Sequence, residues 1–173
     1  MRLTWVLLTM VVAVGLQVAL ARYTVGGAWT FDLVLVGCVF AALQWGPVAG
    51  IAAGTVGGLL QDLLGGDIVG PGGLMKTVVG FAAGVVGTQV VLTRPYSRTL
   101  VLVVASVFHR FGMLALRGLI DQQWPSVPWN AVLTETAVNA ACGFLAFQGT
   151  TALPGLIERQ RRNRRSSLSR RQW

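Results

Sequence analysis

The sequence predicts an all-α membrane protein, a bundle of six transmembrane helices in one domain. Three observations support this fold class. The 173 residues are 54% hydrophobic and only 12% charged. Apolar stretches of roughly 20 residues, the length that crosses the hydrocarbon core of a bilayer, recur along the whole chain. Glycine also repeats at every fourth position of one apolar segment, which costs about 1 kcal/mol per residue in a water-exposed helix but permits close helix packing in lipid.

Six spans are drawn from the apolar stretches, in chain order residues 3 to 21, 30 to 45, 47 to 64, 74 to 92, 99 to 119 and 129 to 152, the last extending to 157. Residues 1–157 therefore form the transmembrane domain, and residues 158–173 form a polybasic tail. The first span precedes a site that resembles a signal-peptidase site, but its apolar run is too long for a signal peptide and five more spans follow. We expect it to be retained. Spans two and three are joined by so short a turn, Trp45-Gly46-Pro47, that they must be antiparallel neighbours.

The distribution of Lys and Arg predicts the orientation. With a cytoplasmic N-terminus, the inner side carries Arg2, Arg94, Arg98 and seven tail arginines, whereas the outer loops carry Arg22 alone. The positive-inside rule then predicts that both termini are cytoplasmic. The outer connections are too short for an extracellular domain, so whatever the protein does takes place largely within the bilayer.

Spans three and four each carry a ridge of small residues. The ridge on span three consists of Gly46, Gly50, Gly54 and Gly58, and the one on span four includes Gly80 and Gly84. Residues four apart share a helix face, so Asp62 continues the first ridge and Lys76 the second. We expect the ridges to pack together, with recognition of a partner helix as a close second role. Asp62 and Lys76 are predicted to form an ion pair. Alternatively, both residues only stabilise the packing of spans three and four, or Lys76 extends to the lipid headgroups without a partner.

Span five carries charges inside an apolar helix, and these need partners. Each costs at least about 2.5 kcal/mol on insertion scales, so it should face protein or water. By depth, Arg110 is expected to pair with Glu135 of span six, and Arg117 with Asp32 of span two. His109 is weighed as a packing residue rather than as a ligand or a proton relay. Deep charge pairs raise the odds of a transport pathway, but no two carboxylates have a spacing that suggests a coupled ion site.

The sequence contains no GxSxG, HExxH, paired CxxC, Walker loop or Asp-rich helix, so neither an enzyme nor a metal site nor a cofactor is expected. Both cysteines are interpreted as small apolar residues. The tail is expected to lie on anionic lipid of the cytoplasmic leaflet. A simple topology anchor is favoured over a switch that phosphorylation of its serines controls. Its arginines are Arg159, Arg161, Arg162, Arg164, Arg165, Arg170 and Arg171.

The stretch GPVAGIAAGTVGGLLQDLLGGDIVGPGGLMKTVVGFAAG resembles the signature region of the rod shape-determining protein MreD family. Members carry a Gly-Pro turn, a glycine-spaced helix running into Leu-Gln-Asp, a glycine loop and a Leu-rich helix with a Val-Gly-Tyr/Phe step. The corresponding residues are Gly46-Pro47, Gly50, Gly54, Gly58, Gln61-Asp62, Gly70, Leu74 and Val79-Gly80-Phe81. The specific match covers residues 31 to 90.

The resemblance implies a non-enzymatic scaffold of the bacterial cell-elongation machinery. Such a subunit would bind the single-span protein MreC and, through it or directly, MreB, RodA and a penicillin-binding transpeptidase. The family also resembles the S-components of energy-coupling-factor vitamin transporters, which have a six-helix fold with an outward cavity. The alternative is therefore a substrate-binding transporter subunit that holds a ligand beside Asp62 and Lys76. The outer loops offer few polar groups for a vitamin, so the scaffold is favoured.

Overall fold

The computed structural model describes residues 2–21, 31–66, 68–90, 92, 94–123 and 126–169, with the backbone alone at residues 2, 3, 5, 21 and from 150 onward. This part of the chain contains six α-helices and no strand, which confirms the all-α prediction. The helices are α1 (Arg2–Ala21), α2 (Leu33–Trp45), α3 (Pro47–Gly65), α4 (Pro71–Gln89), α5 (Pro95–Asp121) and α6 (Trp129–Ser169).

Proline sets the start of three helices, because Pro47, Pro71 and Pro95 each occupy the first helical turn. Proline is favoured there since its φ is already helical and its missing N–H has no intrahelical partner to lose. For this reason α4 and α5 begin before the predicted positions 74 and 99. Between α2 and α3, Gly46 reverses the chain with φ 92° and ψ −175°, a conformation that is essentially restricted to glycine.

Helix α2 lies at the centre of the packing and is covered on two sides. One face packs with α1 and α3 in a cluster that includes Val34, Cys38, Ala41, Met10 and Ala53. The other face packs with α4, α5 and α6 in a cluster that includes Leu35, Val39, Val79, Leu102 and Phe147. Because α2 is short and apolar all round, burial against protein on both sides is what its sequence favours.

Two of the described helices, Pro47–Gly65 and Pro95–Asp121, are long and apolar enough to cross a membrane. Shorter apolar helices cover Val6–Leu20 and Leu33–Trp45. Large apolar side chains also point away from the packed interior, among them Val12, Leu100 and Val104, which are 59%, 64% and 62% exposed. An apolar outer surface of this kind suits contact with acyl chains rather than with water.

Candidate functional site

The two glycine ridges face each other across α3 and α4. A Cβ atom added at Gly50 would overlap the Gly80 carbonyl, and one at Gly54 would overlap the Lys76 carbonyl. At Gly58 the obstacle is the backbone of Gly73. The helices are therefore antiparallel and touch backbone to backbone over three turns, as expected for small residues in lipid.

The ends of the ridges fit the same arrangement. A Cβ atom at Gly84 would lie 2.5 Å from the Cα of Pro47, whereas one at Gly46 would meet only the Thr88 methyl group, at 3.9 Å. Because α4 covers Gly50, Gly54 and Gly58, a partner helix has no access to them. The expectation that these three glycines also recognise a partner is therefore wrong; in the structure they pack two helices of the same chain.

The carboxylate of Asp62 binds the N-terminal end of α4. Its Oδ2 accepts hydrogen bonds from the backbone N–H groups of Gly70, Gly72 and Gly73 at 2.9, 3.1 and 3.3 Å. Those N–H groups are free because a helix leaves its first donors without intrahelical partners, and the helix dipole there favours a negative charge. Gly70 has φ 127°, which a residue with a side chain rarely adopts and which aims its N–H at the carboxylate.

The predicted ion pair between Asp62 and Lys76 is wrong, and the register of the ridges explains why. Gly50 lies against Gly80 and Gly54 against Lys76. In this antiparallel register Lys76 is level with Gly54, two turns from Asp62, or about 12 Å along the helix axis. Asp62 instead lies beside the loop that precedes α4.

We expect Asp62→Asn to lower the free energy of unfolding by about 1 kcal/mol and Asp62→Ala by about 3 kcal/mol. Asparagine keeps an acceptor but loses the charge, whereas alanine leaves buried N–H groups without a partner. Denaturation of the purified protein in mixed micelles, followed by circular dichroism, measures both. The matched control is the exposed Asp121 at the end of α5, where Asp121→Asn should change stability by less than about 0.5 kcal/mol. Equal effects at the two positions would contradict the capping role.

Lys76 pairs with Asp32, which directly precedes α2. Its Nζ lies 2.8 Å from Asp32 Oδ2, and both side chains are almost fully buried. The same ammonium lies 3.4 Å from Nε2 of His109 on α5. The expected pairing of Asp32 with Arg117 is therefore replaced by one with Lys76. The lysine is directed toward α2 and α5 because its own backbone is the part that touches α3.

Two further hydrogen bonds hold Asp32, and a third holds the asparagine that binds it. Its Oδ1 accepts from the Leu35 N–H at 2.9 Å and so caps α2. Its own backbone N–H donates to Oδ1 of Asn139 on α6 at 2.8 Å, and Nδ2 of Asn139 lies 3.4 Å from Oγ of Ser106. We did not predict Asn139 or Ser106 from the sequence. A signal was present, because Asn139 lies four residues after Glu135 and shares its helix face.

Arg110 and Glu135 lie where the sequence placed them relative to each other, with Nη1 of Arg110 3.2 Å from Oε2 of Glu135. The glutamate side chain is 8% exposed and the arginine side chain 31% exposed. The pair connects α5 to α6 next to the Asp32–Lys76 pair. Arg117 lies further along α5 and lines the same cavity.

These side chains surround a polar cavity of about 140 Å³ at the end of the molecule where α2 and α4 begin and α3 and α5 end. Its charged lining consists of Asp32, Asp62, Glu135, Lys76, Arg110 and Arg117, with His109 between them. Each carboxylate has its charge compensated, two by a cation and Asp62 by the N-terminus of α4. The cavity is thus an organised polar site rather than a gap in apolar packing.

Possible metal ligands also meet in this cavity. One ligand atom each from Asp32, His109 and Glu135 lies within 4.8 Å of the others. However, the Lys76 ammonium lies 2.8 Å from Asp32 and 3.4 Å from His109, so a cation already stands between these two potential ligands. The residues therefore fit a lysine-centred charge network and do not fit a metal ion. The tail arginines predicted to bind lipid lie outside the described side chains.

Comparison with known proteins assigns the chain to a family. No match was found among curated proteins or among solved structures. The profile of one family, described as rod shape-determining protein MreD, matches residues 1–140. This range contains the paired glycine ridges and every charged residue of the polar cavity. Because the match covers well over half of the 173 residues, the chain belongs to the MreD family, whose members are membrane proteins that take part in rod shape determination.

Proposed function

We propose that this protein is a non-catalytic scaffold of the bacterial cell-elongation complex, which binds MreC and helps to organise peptidoglycan synthesis. The observation that carries the proposal is the family match over residues 1–140. Backbone contact between α3 and α4 supports it, because a scaffold has to present fixed surfaces and this helix pair leaves little room for relative movement. MreB, RodA and a penicillin-binding transpeptidase belong to the same proposed complex.

We further propose that all six helices span the inner membrane and that both termini are cytoplasmic. The apolar exposed faces of α1 and α5 and the excess of basic residues on one side support this arrangement. The polar cavity then opens toward the outer surface. The tail arginines would lie on anionic lipid at the cytoplasmic surface, where each is worth about 1 kcal/mol.

We propose that MreC binds a lipid-facing helix surface away from the glycine ridges. The ridge of α3 is covered by α4, so its glycines are not accessible to a single-span partner. On α5, exposed side chains recur at Leu100, Val104, Phe108 and Phe111. This spacing of four, four and three residues forms one apolar stripe, which suits contact with another helix.

Co-purification tests the scaffold proposal. We expect the affinity-tagged chain, expressed with the genes that neighbour it in its own operon, to recover MreC as the main partner. In the variant Leu100→Ala/Val104→Ala, the amount of MreC recovered should fall at least tenfold. The matched control, Leu8→Ala/Val12→Ala, alters equally exposed residues on α1 and should leave recovery unchanged. If only the control variant recovers less MreC, the α5 stripe is not the binding surface. If the unaltered chain recovers no MreC, the scaffold proposal is wrong.

The polar cavity is the observation that favours the alternative, a vitamin-binding transporter subunit. Its volume argues against this alternative, because about 140 Å³ is well below the roughly 300–1,000 Å³ of typical small-molecule sites. In the co-purification experiment, recovery of an ATPase module together with a retained vitamin would support the transporter alternative. We therefore rank the scaffold first.

A further inference from the structure

We propose that the polar cavity binds one phosphate group, held by hydrogen bonds from His109 and Arg110. This inference is independent of the proposed binding of MreC. It rests on two buried donors that lack partners among the described residues, on the charges around them and on the shape of the adjoining space.

The contact with Lys76 fixes the tautomer of His109. An ammonium group only donates hydrogen bonds, so Nε2 of His109, 3.4 Å from Lys76 Nζ, has to be the acceptor. A neutral imidazole that accepts at Nε2 carries its proton on Nδ1. That Nδ1 has no partner among the described residues, although His109 is only 5% exposed. His109 therefore has a buried N–H donor for which the described residues provide no acceptor.

The neighbouring residue supplies a second donor. Arg110 uses Nη1 to bind Glu135, while its Nε–H is buried and finds no acceptor in the described part of the chain. Buried polar groups nearly always have a hydrogen-bond partner. Two adjacent residues of one cavity lining each have a buried donor without one, and a ligand with acceptor oxygens would supply the missing partners. A third residue of the lining, Gln61, has a buried Oε1 without a partner, and this position becomes a donor when the side-chain amide is turned over. The fourth buried atom without a partner among the described residues, Nε2 of Gln17, does not belong to the cavity lining.

The charges around the cavity favour an anion. Three cations and three carboxylates line it, so their formal charges cancel. The N-terminus of α4, which binds Asp62, adds a partial positive charge to this balance. Phosphate suits these donors since it offers several acceptor oxygens, and guanidinium groups bind it well.

The size and position of the cavity allow two sources of phosphate. A volume of about 140 Å³ holds one phosphate-sized group but no large ligand. A second space of about 230 Å³ shares Asp62, Met113 and Arg117 with the first. The rest of its lining consists of the apolar residues Ile68, Pro71 and Ile120 and one carboxylate, Asp121. A phospholipid could reach the cavity along this path, with its tails outside. Free phosphate could enter from the aqueous side.

Nitrogen-15 NMR of the histidine tests the proposal on the full chain. The chain has one histidine, so with a histidine-free affinity tag its two ring nitrogens give unambiguous signals. We expect Nδ1 to be protonated. Its signal should shift and reach saturation when inorganic phosphate is added to the protein in neutral detergent, or when the share of phosphatidylglycerol is raised in nanodiscs made of digalactosyl lipid. The first response identifies free phosphate and the second a lipid headgroup. No shift in either arm, or a proton on Nε2, would overturn the proposal.

A pair of arginine variants on α5 locates the response. Arg110→Gln should raise the concentration of phosphate or phosphatidylglycerol at half-saturation at least tenfold. The matched control, Arg98→Gln, removes a cation of the same helix that lies far from the cavity and donates to the Leu92 carbonyl, so it should leave the titration unchanged. Equal weakening in both variants would show a general charge effect and reject the site. If Arg110→Gln does not fold, the histidine signal of the unaltered chain decides the question.

Discussion

Replacing Gly54 with leucine is expected to prevent stable folding of the protein. A Cβ atom at this position would overlap the backbone carbonyl of Lys76, and backbone, unlike a flexible side chain, has no rotamer in which to move aside. Forced separation of α3 and α4 would also break the contacts at Gly50 and Gly58. Overpacking in a core costs about 1–3 kcal/mol and occasionally more, and a backbone clash belongs at the upper end of this range. Yield of monodisperse protein and thermal unfolding in detergent measure the effect.

Gly15 provides the matched control for Gly54. It lies inside α1, and a Cβ atom there would meet nothing within 4 Å. Gly15→Leu should therefore leave folding intact, or slightly improve it, because leucine has the higher helix propensity. A Gly54→Leu protein that unfolds at the same temperature as the Gly15→Leu protein would show that close contact between α3 and α4 is not what holds the fold together.

Lys76→Met is expected to lower the free energy of unfolding by about 3–5 kcal/mol. Methionine has nearly the length of lysine, so the change removes the charge with little change in packing. It leaves Asp32, which is 5% exposed, as a buried carboxylate without its cation. Breaking one side of a buried ion pair is costly for this reason. Denaturation in mixed micelles quantifies the loss.

The double variant Lys76→Met/Asp32→Asn separates the ion pair from packing. Asparagine is a good N-cap, so it can still accept the Leu35 N–H that Asp32 accepts. It carries no charge that needs compensation, and the double variant should therefore recover most of the stability that Lys76→Met loses. If the double variant is as unstable as Lys76→Met, the uncompensated charge of Asp32 is not what destabilises the single variant.

The glycine ridges show how much of the site could be predicted. Spacing of four places Gly50, Gly54 and Gly58 on one face, and small residues in lipid predict a close helix contact. The structure has this contact. The spacing did not predict the register of the two ridges. In the structure Gly50 lies against Gly80, which brings Gly54 opposite Lys76. The prediction paired Lys76 with Asp62 because both lie near the outer loop, and it did not consider which backbone atoms touch.

The charged residues show where prediction from sequence ends. Arg110 and Glu135 could be matched because they lie on consecutive helices at similar depth, and they are 3.2 Å apart. Lys76, Asp32 and His109 come from α4, α2 and α5, and their meeting depends on how far each helix is rotated about its axis. Rotation follows from the packing of all helices together, which no local pattern encodes.

The sequence by itself determined that the chain is helical, that its outer surface is apolar and that α3 and α4 approach closely, because each of these follows from local composition and spacing. Only the tertiary structure decided which charges pair and that a polar cavity exists beside them. The physical reason is that a buried charge accepts any suitable partner within about 4 Å, and the distance between side chains of different helices is set by the whole packed arrangement.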